Sequence, residues 1–376
     1  MGEILGRFPA GYAVDARGLS DVREQVAQEG AYACPAATMT RMPHPHVLLT
    51  NPIDSTVTAE LRQHADVRIA SAPDPETLRR ESRDADYIVV RAPLPEDIFD
   101  QASRMRAAVR HGAGLDMIPV AQASRHGVAV ANVPGVNAVT VAEYAVGQML
   151  NLARQLPRID QALRGSGWAA ARQLSDGASD LGGKTLAIIG MGSIGHALAR
   201  ISAAGFGMRV LGVRRSPAQD TELVRHVTLE QALPAADYVV LACPLTEQTR
   251  GLIGAAELAQ LRPGARLVNV ARGPVVDEAA LVEALRSGRL AGAALDVYAT
   301  QPLPADSPLR ALPNVLLSPH LAGMTAESTR RMSEGVLAQL LAMFRGELPE
   351  HLCNGEAREA ILARWASFNP PSSRFP

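Results

Sequence analysis

The sequence predicts two α/β domains, each a parallel sheet wound by helices on both faces, and three observations carry that prediction. Short apolar, β-rich runs alternate with helical patterns in two separate series along the chain. A Pro-Gly break followed by one long apolar helix divides the two series, and a glycine-rich turn follows the first strand of the second. At 376 residues, 47% hydrophobic and 20% charged, the chain carries apolar material for two ordinary cores. A formal net charge of −1 without a long basic run gives no electrostatic reason to expect nucleic acid or an anionic membrane as a partner. Cys34, Cys243 and Cys353 lack metal-ligand spacing, and the chain shows neither a secretory pattern nor an apolar run of spanning length. A cytoplasmic protein with reduced thiols and no bound metal is the expectation.

Residues 1–41 mix Gly, Pro, Ala and charge without sustained periodicity, and Met42 stands just ahead of the first strand pattern. They read as a weakly ordered leader, as residues upstream of the true start, or as a small ordered appendage. The first series predicts strands at 46–50, 67–70, 87–91, 107–110 and 128–131, with helices between them. Pro134-Gly135 ends it, and 139–156 reads as one long helix able to cross from one domain to the next. The second series predicts strands at 185–189, 210–213, 238–241, 267–270, 293–297 and 315–318, a doubly wound pattern. A strong helix follows over 326–344, and the tail after Asn354 holds one short helix before a Pro- and Ser-containing end.

The turn at 190–195 reads Gly-Met-Gly-Ser-Ile-Gly, after a buried-strand pattern and before a helix running from about 196 to 204. Gly190 permits the tight turn, Gly192 lets the backbone approach a pyrophosphate, and Gly195 allows close helix packing, while the helix N-terminus supplies oriented N–H donors. In this strand-turn-helix setting the string marks a dinucleotide site rather than a turn that needs glycine for sterics alone. The next strand ends in Arg214, Arg215 and Ser216, where a carboxylate normally binds the adenosine ribose of NAD. Two guanidiniums and a hydroxyl suit a 2'-phosphate, so NADP is preferred and NAD remains possible. The alternative is that these arginines are solvated strand-end charges, since Lys184 is the chain's single lysine and arginine its default cation.

Three further segments narrow the chemistry: Val268-Asn-Val-Ala-Arg272-Gly-Pro-Val-Val-Asp277; Asp296-Val-Tyr followed by Gln301-Pro-Leu; and Ser318-Pro-His320-Leu-Ala-Gly323. In order and spacing they resemble the D-isomer-specific 2-hydroxyacid dehydrogenases, over about residues 44–354. Supporting strings are Arg91-Ala-Pro, His111-Gly-Ala-Gly-Leu-Asp116, Asn137-Ala-Val-Thr-Val-Ala-Glu143 and Cys243-Pro-Leu-Thr246. Reducing a 2-oxo acid needs a cation to hold its carboxylate and polarise its carbonyl, and a proton donor for the alkoxide formed as hydride arrives. Arg272 is permanently charged and planar, and His320 titrates near neutrality, which fits them to those tasks.

The resemblance implies a Rossmann cofactor domain, 141–324, inserted into a flavodoxin-like substrate domain made of 42–140 and 325–354, with 355–376 as a tail. It implies hydride transfer between NAD(P) and a small D-2-hydroxy or 2-oxo acid, and a homodimer using the long helix after Asn137. The substrate would meet Arg91, the backbone of Ala113 and Gly114, Asn137 and Arg272. The cofactor would meet Gly190, Gly192, Ser193, Ile194, Gly195, Pro244, Thr249, Ala271, Asp296 and Gly323. By residue type alone Asp116 and Arg91 are equally readable as structural. One departure stands out, because most of these dehydrogenases place a glutamate where this chain has Gln301, and glutamine orients an imidazole without charging it. Gln301 therefore raises two alternatives: a formate-like, hydride-only oxidation using the Gln-His pair, or a nucleotide-responsive binding protein with little turnover.

Overall fold

The computed structural model describes residues 44–216 and 218–368. Residues 1–41, the leader of the sequence reading, lie outside that set. Five short strands, β1 (His46–Leu49), β2 (Asp66–Ile69), β3 (Tyr87–Val90), β4 (Ala107–Arg110) and β5 (Ala129–Ala131), form an all-parallel sheet in the order β2-β1-β3-β4-β5. This is the flavodoxin-like order. The helices α1 (Ser55–Leu61), α2 (Pro75–Glu81) and α3 (Val120–Arg125) connect them. Asp54 and Asp74 cap the first two helices through their side chains, and Pro75 opens the second where a missing N–H costs nothing.

Asn137 then leads into α4 (Ala138–Arg154), which packs Val141, Ala145, Met149 and Leu152 into a second core. The sequence reading carried this helix to 156 as one piece. The chain instead bends at Gln155, which adopts a left-handed φ of 54°, and α5 (Leu156–Ser166) starts afresh with Pro157 in its first turn. A proline cannot sit inside the longer helix without losing a backbone bond and clashing with the preceding turn. After α6 (Trp168–Gln173), the second sheet begins with β6 (Thr185–Ile189), α7 (Ser193–Arg200), β7 (Arg209–Val213), β8 (Arg225–His226), α8 (Leu229–Ala232) and β9 (Tyr238–Leu241). It continues through α9 (Ala255–Gln260), β10 (Arg266–Asn269), α10 (Glu278–Arg286), β11 (Gly292–Leu295) and β12 (Val315–Leu317). Its seven parallel strands run β12-β11-β10-β9-β6-β7-β8, a Rossmann order extended by one strand. The two-residue β8 is too short to leave a period in the sequence.

The helix α11 (Ala326–Phe344) returns to the first sheet, where Val336, Leu340 and Met343 join its core and Phe344 packs edge-on against Tyr87 with ring centroids 5.1 Å apart. Residues 355–368 are not detached from that domain. Helix α12 (Arg358–Phe368) buries Ile361 and Trp365 in the same core, and Arg364 donates to the carbonyls of Met105, Ala102 and Ser103. Among the described residues no helix is long and apolar enough to cross a membrane, and no three metal-ligating side chains gather.

In open parallel sheets ligands bind beyond the carboxyl ends of the strands, where the strand order reverses. Here those points lie between β1 and β3 and between β6 and β9.

Candidate functional site

The glycine turn occupies the β6–β9 reversal. Gly190 has φ 109°, and a Cβ there would sit 2.5 Å from the backbone nitrogen of Cys243, just after β9. A Cβ on Gly195 would run into the Gly190 carbonyl, so that glycine is set by helix packing. Gly192 differs: nothing lies within 4 Å of where its Cβ would be, and no side chain caps the start of α7 at Ser193 and Ile194. An open backbone face at an uncapped helix N-terminus fits a dinucleotide pyrophosphate. Arg214, Arg215 and Ser216 follow β7 and are exposed, without an ion pair among the described residues. The loop after β9 is tied by Thr249, whose hydroxyl donates to the Pro244 carbonyl at 2.7 Å and accepts from the Thr246 amide at 2.8 Å.

Arg272 lies three residues past β10. Its Nε and Nη2 donate to Asp116 Oδ1 at 3.1 and 2.9 Å, and its Nη1 donates to the Ala271 carbonyl at 2.7 Å. The Ala271 amide is in turn held by Asn269 Oδ1 at 3.0 Å. Burial pushes the Asp116 carboxyl up, but the hydrogen bond and charge of Arg272 outweigh it and hold the group below the ordinary carboxylate value. Gly114 fits between them, since any Cβ there would collide with Arg272 Nη2 and stand 2.7 Å from Asp116 Oδ1. Ala113 presents its carbonyl to Asn132 Nδ2 at 2.7 Å.

His320 lies beyond β12 with φ 55°, a left-handed conformation costing a residue with a Cβ roughly 1 kcal/mol. Asp296, which follows β11, holds the chain there. Its carbonyl accepts from the His320 amide at 2.8 Å, and its carboxylate accepts from the amides of Leu321 and Ala322, each at 2.8 Å. The Ser318 hydroxyl adds a bond to Asp296 Oδ1 at 2.7 Å and is itself bonded to Tyr144 of α4. His320 Nδ1 meets Gln301 Oε1 at 3.1 Å. With the amide oxygen as acceptor, Nδ1 carries a proton and Nε2 is left as the exchanging nitrogen. Burial first, then the charge of Arg272, place the His320 pKa below its ordinary value; Asp296 and Asp116 oppose that and Arg110 adds to it.

Arg91, next to the β1–β3 reversal, donates its amide to Thr50 Oγ1 at 2.8 Å, while its guanidinium donates to the Pro52 carbonyl and lies 4.0 Å from Met324 Sδ. Burial lowers its pKa. Asn137 Nδ2 packs against Gly323, 2.9 Å from where a Cβ would stand.

Comparison with known proteins agrees with this geometry. Residues 146–322 match the model of the "D-isomer specific 2-hydroxyacid dehydrogenase, NAD binding domain". A glyoxylate reductase of Korarchaeum cryptofilum is 36% identical over 321 residues, covering 83% of this chain and 96% of its own length. The chain belongs to the D-isomer-specific 2-hydroxyacid dehydrogenase family. A glyoxylate reductase of Thermococcus gammatolerans is 38% identical over 326 residues, covering 83% of this chain and 96% of its own. An NADPH-dependent glyoxylate/hydroxypyruvate reductase of Sinorhizobium meliloti, solved with NADP and malonate, superposes with a TM-score of 0.73 at 32% identity, over 83% of this chain and 97% of that one.

This dehydrogenase is an NAD(P)-dependent oxidoreductase acting on the CH–OH group of 2-hydroxy acids. The hydride-only and binding-protein alternatives raised by Gln301 are not favoured. Sequence reading missed Arg110, Tyr144 and Ser318 as parts of this dehydrogenase's site. Ser318 opens the string that carries His320, and Arg110 left a signal as a cation closing the apolar strand 107–110 directly before His-Gly-Ala-Gly.

Proposed function

We propose that this dehydrogenase is an NADP-preferring reductase of small 2-oxo acids, of which glyoxylate and hydroxypyruvate are the first to test. The observation that carries the reading is the convergence of Arg272, beside Gly114, with the His320–Gln301 pair past the ends of neighbouring strands. Arg272 and the backbone of Ala113 and Gly114 receive the substrate carboxylate, with Arg91 and Asn137 lining the cleft. A bound nicotinamide dinucleotide supplies the hydride for reduction and takes it up in oxidation. His320 gives the proton from Nε2 to the oxygen that becomes the hydroxyl, and recovers it in the reverse direction.

Gln301 fixes the imidazole tautomer. Gly190, Gly192, Ser193, Ile194 and Gly195 hold the pyrophosphate; Pro244 and Ala271 border the nicotinamide ribose, Thr249 and Gly323 are further cofactor contacts, and Asp296 meets the carboxamide. Arg214, Arg215 and Ser216 take the 2'-phosphate. Of the 42–140 limit, residues 42 and 43 lie outside the described residues; the substrate domain takes 44–140 with 325–354 and the cofactor domain 141–324, and 355–368 packs with the former. The protein works in the cytoplasm as a homodimer built on α4; a single-chain mass in solution across the micromolar range would remove the dimer. A panel of 2-oxo acids with NADPH and NADH, followed by nicotinamide absorbance, tests the activity. His320→Ala should lower turnover roughly a hundredfold with nucleotide binding retained; near-parent turnover in that variant rules His320 out as the proton carrier.

A further inference from the structure

The end of β4 and the loop after it hold a charged device that the catalytic reading does not use. Arg110 is half-buried, and its guanidinium bonds only backbone carbonyls among the described residues: Nε to Gly114 at 3.1 Å, and Nη1 to Val90 at 2.9 Å and to His111 at 2.7 Å. The loop wraps around it, with Gly112 at φ 138° and its missing Cβ 3.7 Å from the guanidinium carbon. The two remaining carbonyls of the loop are also taken, Gly112 by the Val133 amide at 2.9 Å and Ala113 by Asn132 Nδ2 at 2.7 Å. Every carbonyl from His111 to Gly114 is therefore turned to a protein donor. The amides of Ala113 and Gly114 have no acceptor among the described residues, and Gly114 lies against Arg272. Oriented amides beside a guanidinium form an anion receptor, provided something holds the peptide planes in place.

We propose that Arg110 is the positioning residue of the substrate's carboxylate site, fixing the amides of Ala113 and Gly114 toward the anion and adding a buried positive charge that no carboxylate contacts. This rests on the reading of Arg272 and Gly114 as carboxylate receptors. Burial first, opposed by Asp116 and aided by the nearby charges of Arg272 and Arg91, lowers the Arg110 pKa to about 10, still leaving the group charged at neutral pH. A lysine at this position keeps the charge without the planar fork that reaches three carbonyls; a methionine loses both.

The test is steady-state reduction of glyoxylate by Arg110→Met and Arg110→Lys, with nucleotide affinity as the check of folding. Arg110→Met should raise KM about tenfold or more, the scale of one lost charge-assisted hydrogen bond, with kcat within a few fold. Its alkaline limb should also move to higher pH. His320 is faced by Arg272 and Arg110 as cations, by Asp296 and Asp116 as anions and by the neutral Gln301, so losing one cation eases its protonation. Arg110→Lys should raise KM less and leave the limb in place, a split that loosened packing would not produce. A KM for Arg110→Met within about twofold of the parent, or a limb that does not move, overturns the proposal. Where Arg110→Met fails to bind nucleotide, Arg110→Lys decides alone: a raised KM with an unmoved limb supports it and an unchanged KM overturns it. Arg272→Lys run in parallel separates the two readings, because an unchanged KM there sinks the carboxylate site itself, whereas a raised KM there with an unchanged one for Arg110 sinks only this inference.

Discussion

Replacing Gln301 with glutamate puts a negative charge directly against His320 Nδ1, where the parent has a neutral amide. In the parent, Nδ1 lies 3.1 Å from the Gln301 amide oxygen, so the carboxylate of Gln301→Glu needs no rearrangement to reach the ring. Unit charges about 4 Å apart interact by about 1 kcal/mol in water and about 4 kcal/mol at an effective dielectric near 20. His320 is half-buried, so a value of about 1.4 to 2.7 kcal/mol is appropriate, corresponding to a rise of about one to two pKa units. The sign follows from the chemistry. In the proposed role of His320, reduction needs the imidazolium, and its rate falls as pH rises through the His320 pKa, which burial and Arg272 hold below the ordinary histidine value. A carboxylate at 301 stabilises the imidazolium and moves that alkaline fall-off up by the same one to two units. Oxidation needs the neutral ring, so its acid limb moves upward too and oxidation slows near neutral pH. The assay is the pH dependence of kcat/KM for glyoxylate reduction and for oxidation of the matching hydroxy acid, parent against variant. An unmoved reduction limb, in a variant whose structure shows the carboxylate on Nδ1, would refute proton donation by His320 as the step that controls the rate.

Changing Arg214 and Arg215 together to alanine should weaken NADPH by about 2 kcal/mol while leaving NADH nearly unaffected; equal affinities for the two nucleotides in the parent would show that the pair is surface charge only. His111 is buried against Ser333, with Nε2 2.9 Å from its hydroxyl, and burial first, then Arg91 and Arg110, lower its pKa to about 3. A base whose folded pKa is depressed contributes stability that is present above the unfolded value of about 6.5 and is lost as pH falls. From about pH 6 to 4 this group should cost about 1.4 kcal/mol of stability per pH unit, a slope that His111→Gln removes. Urea midpoints of parent and variant falling in parallel over that range would show that His111 is not the group responsible.

Local patterns account for what the sequence made legible. The strands at 107–110, 185–189 and 238–241 and the helix at 326–344 match their structural bounds because an apolar period is set by neighbours in the chain. The glycine turn was readable for the same reason: Gly190 and Gly195 are required by backbone contacts within one strand-turn-helix unit and its neighbour. The packing of α12 was not readable, since Trp365 and Arg364 meet partners more than two hundred residues away.

By itself, then, the amino-acid sequence determined the two wound sheets and the glycine turn, and it singled out Arg272, Gln301 and His320 as the candidates proposed above, because each is written in short strings whose geometry is local. Tertiary structure alone decided how those groups are held. Arg272 meets Asp116 across 156 positions of chain, and Tyr144 meets Ser318 across 174. Arg110 lies close in sequence to the loop it ties, yet nothing in the string tells which carbonyls its fork will reach. Pairings of this kind depend on where strand ends meet once the sheets have folded, and a charged side chain carries no period from which its partner can be read.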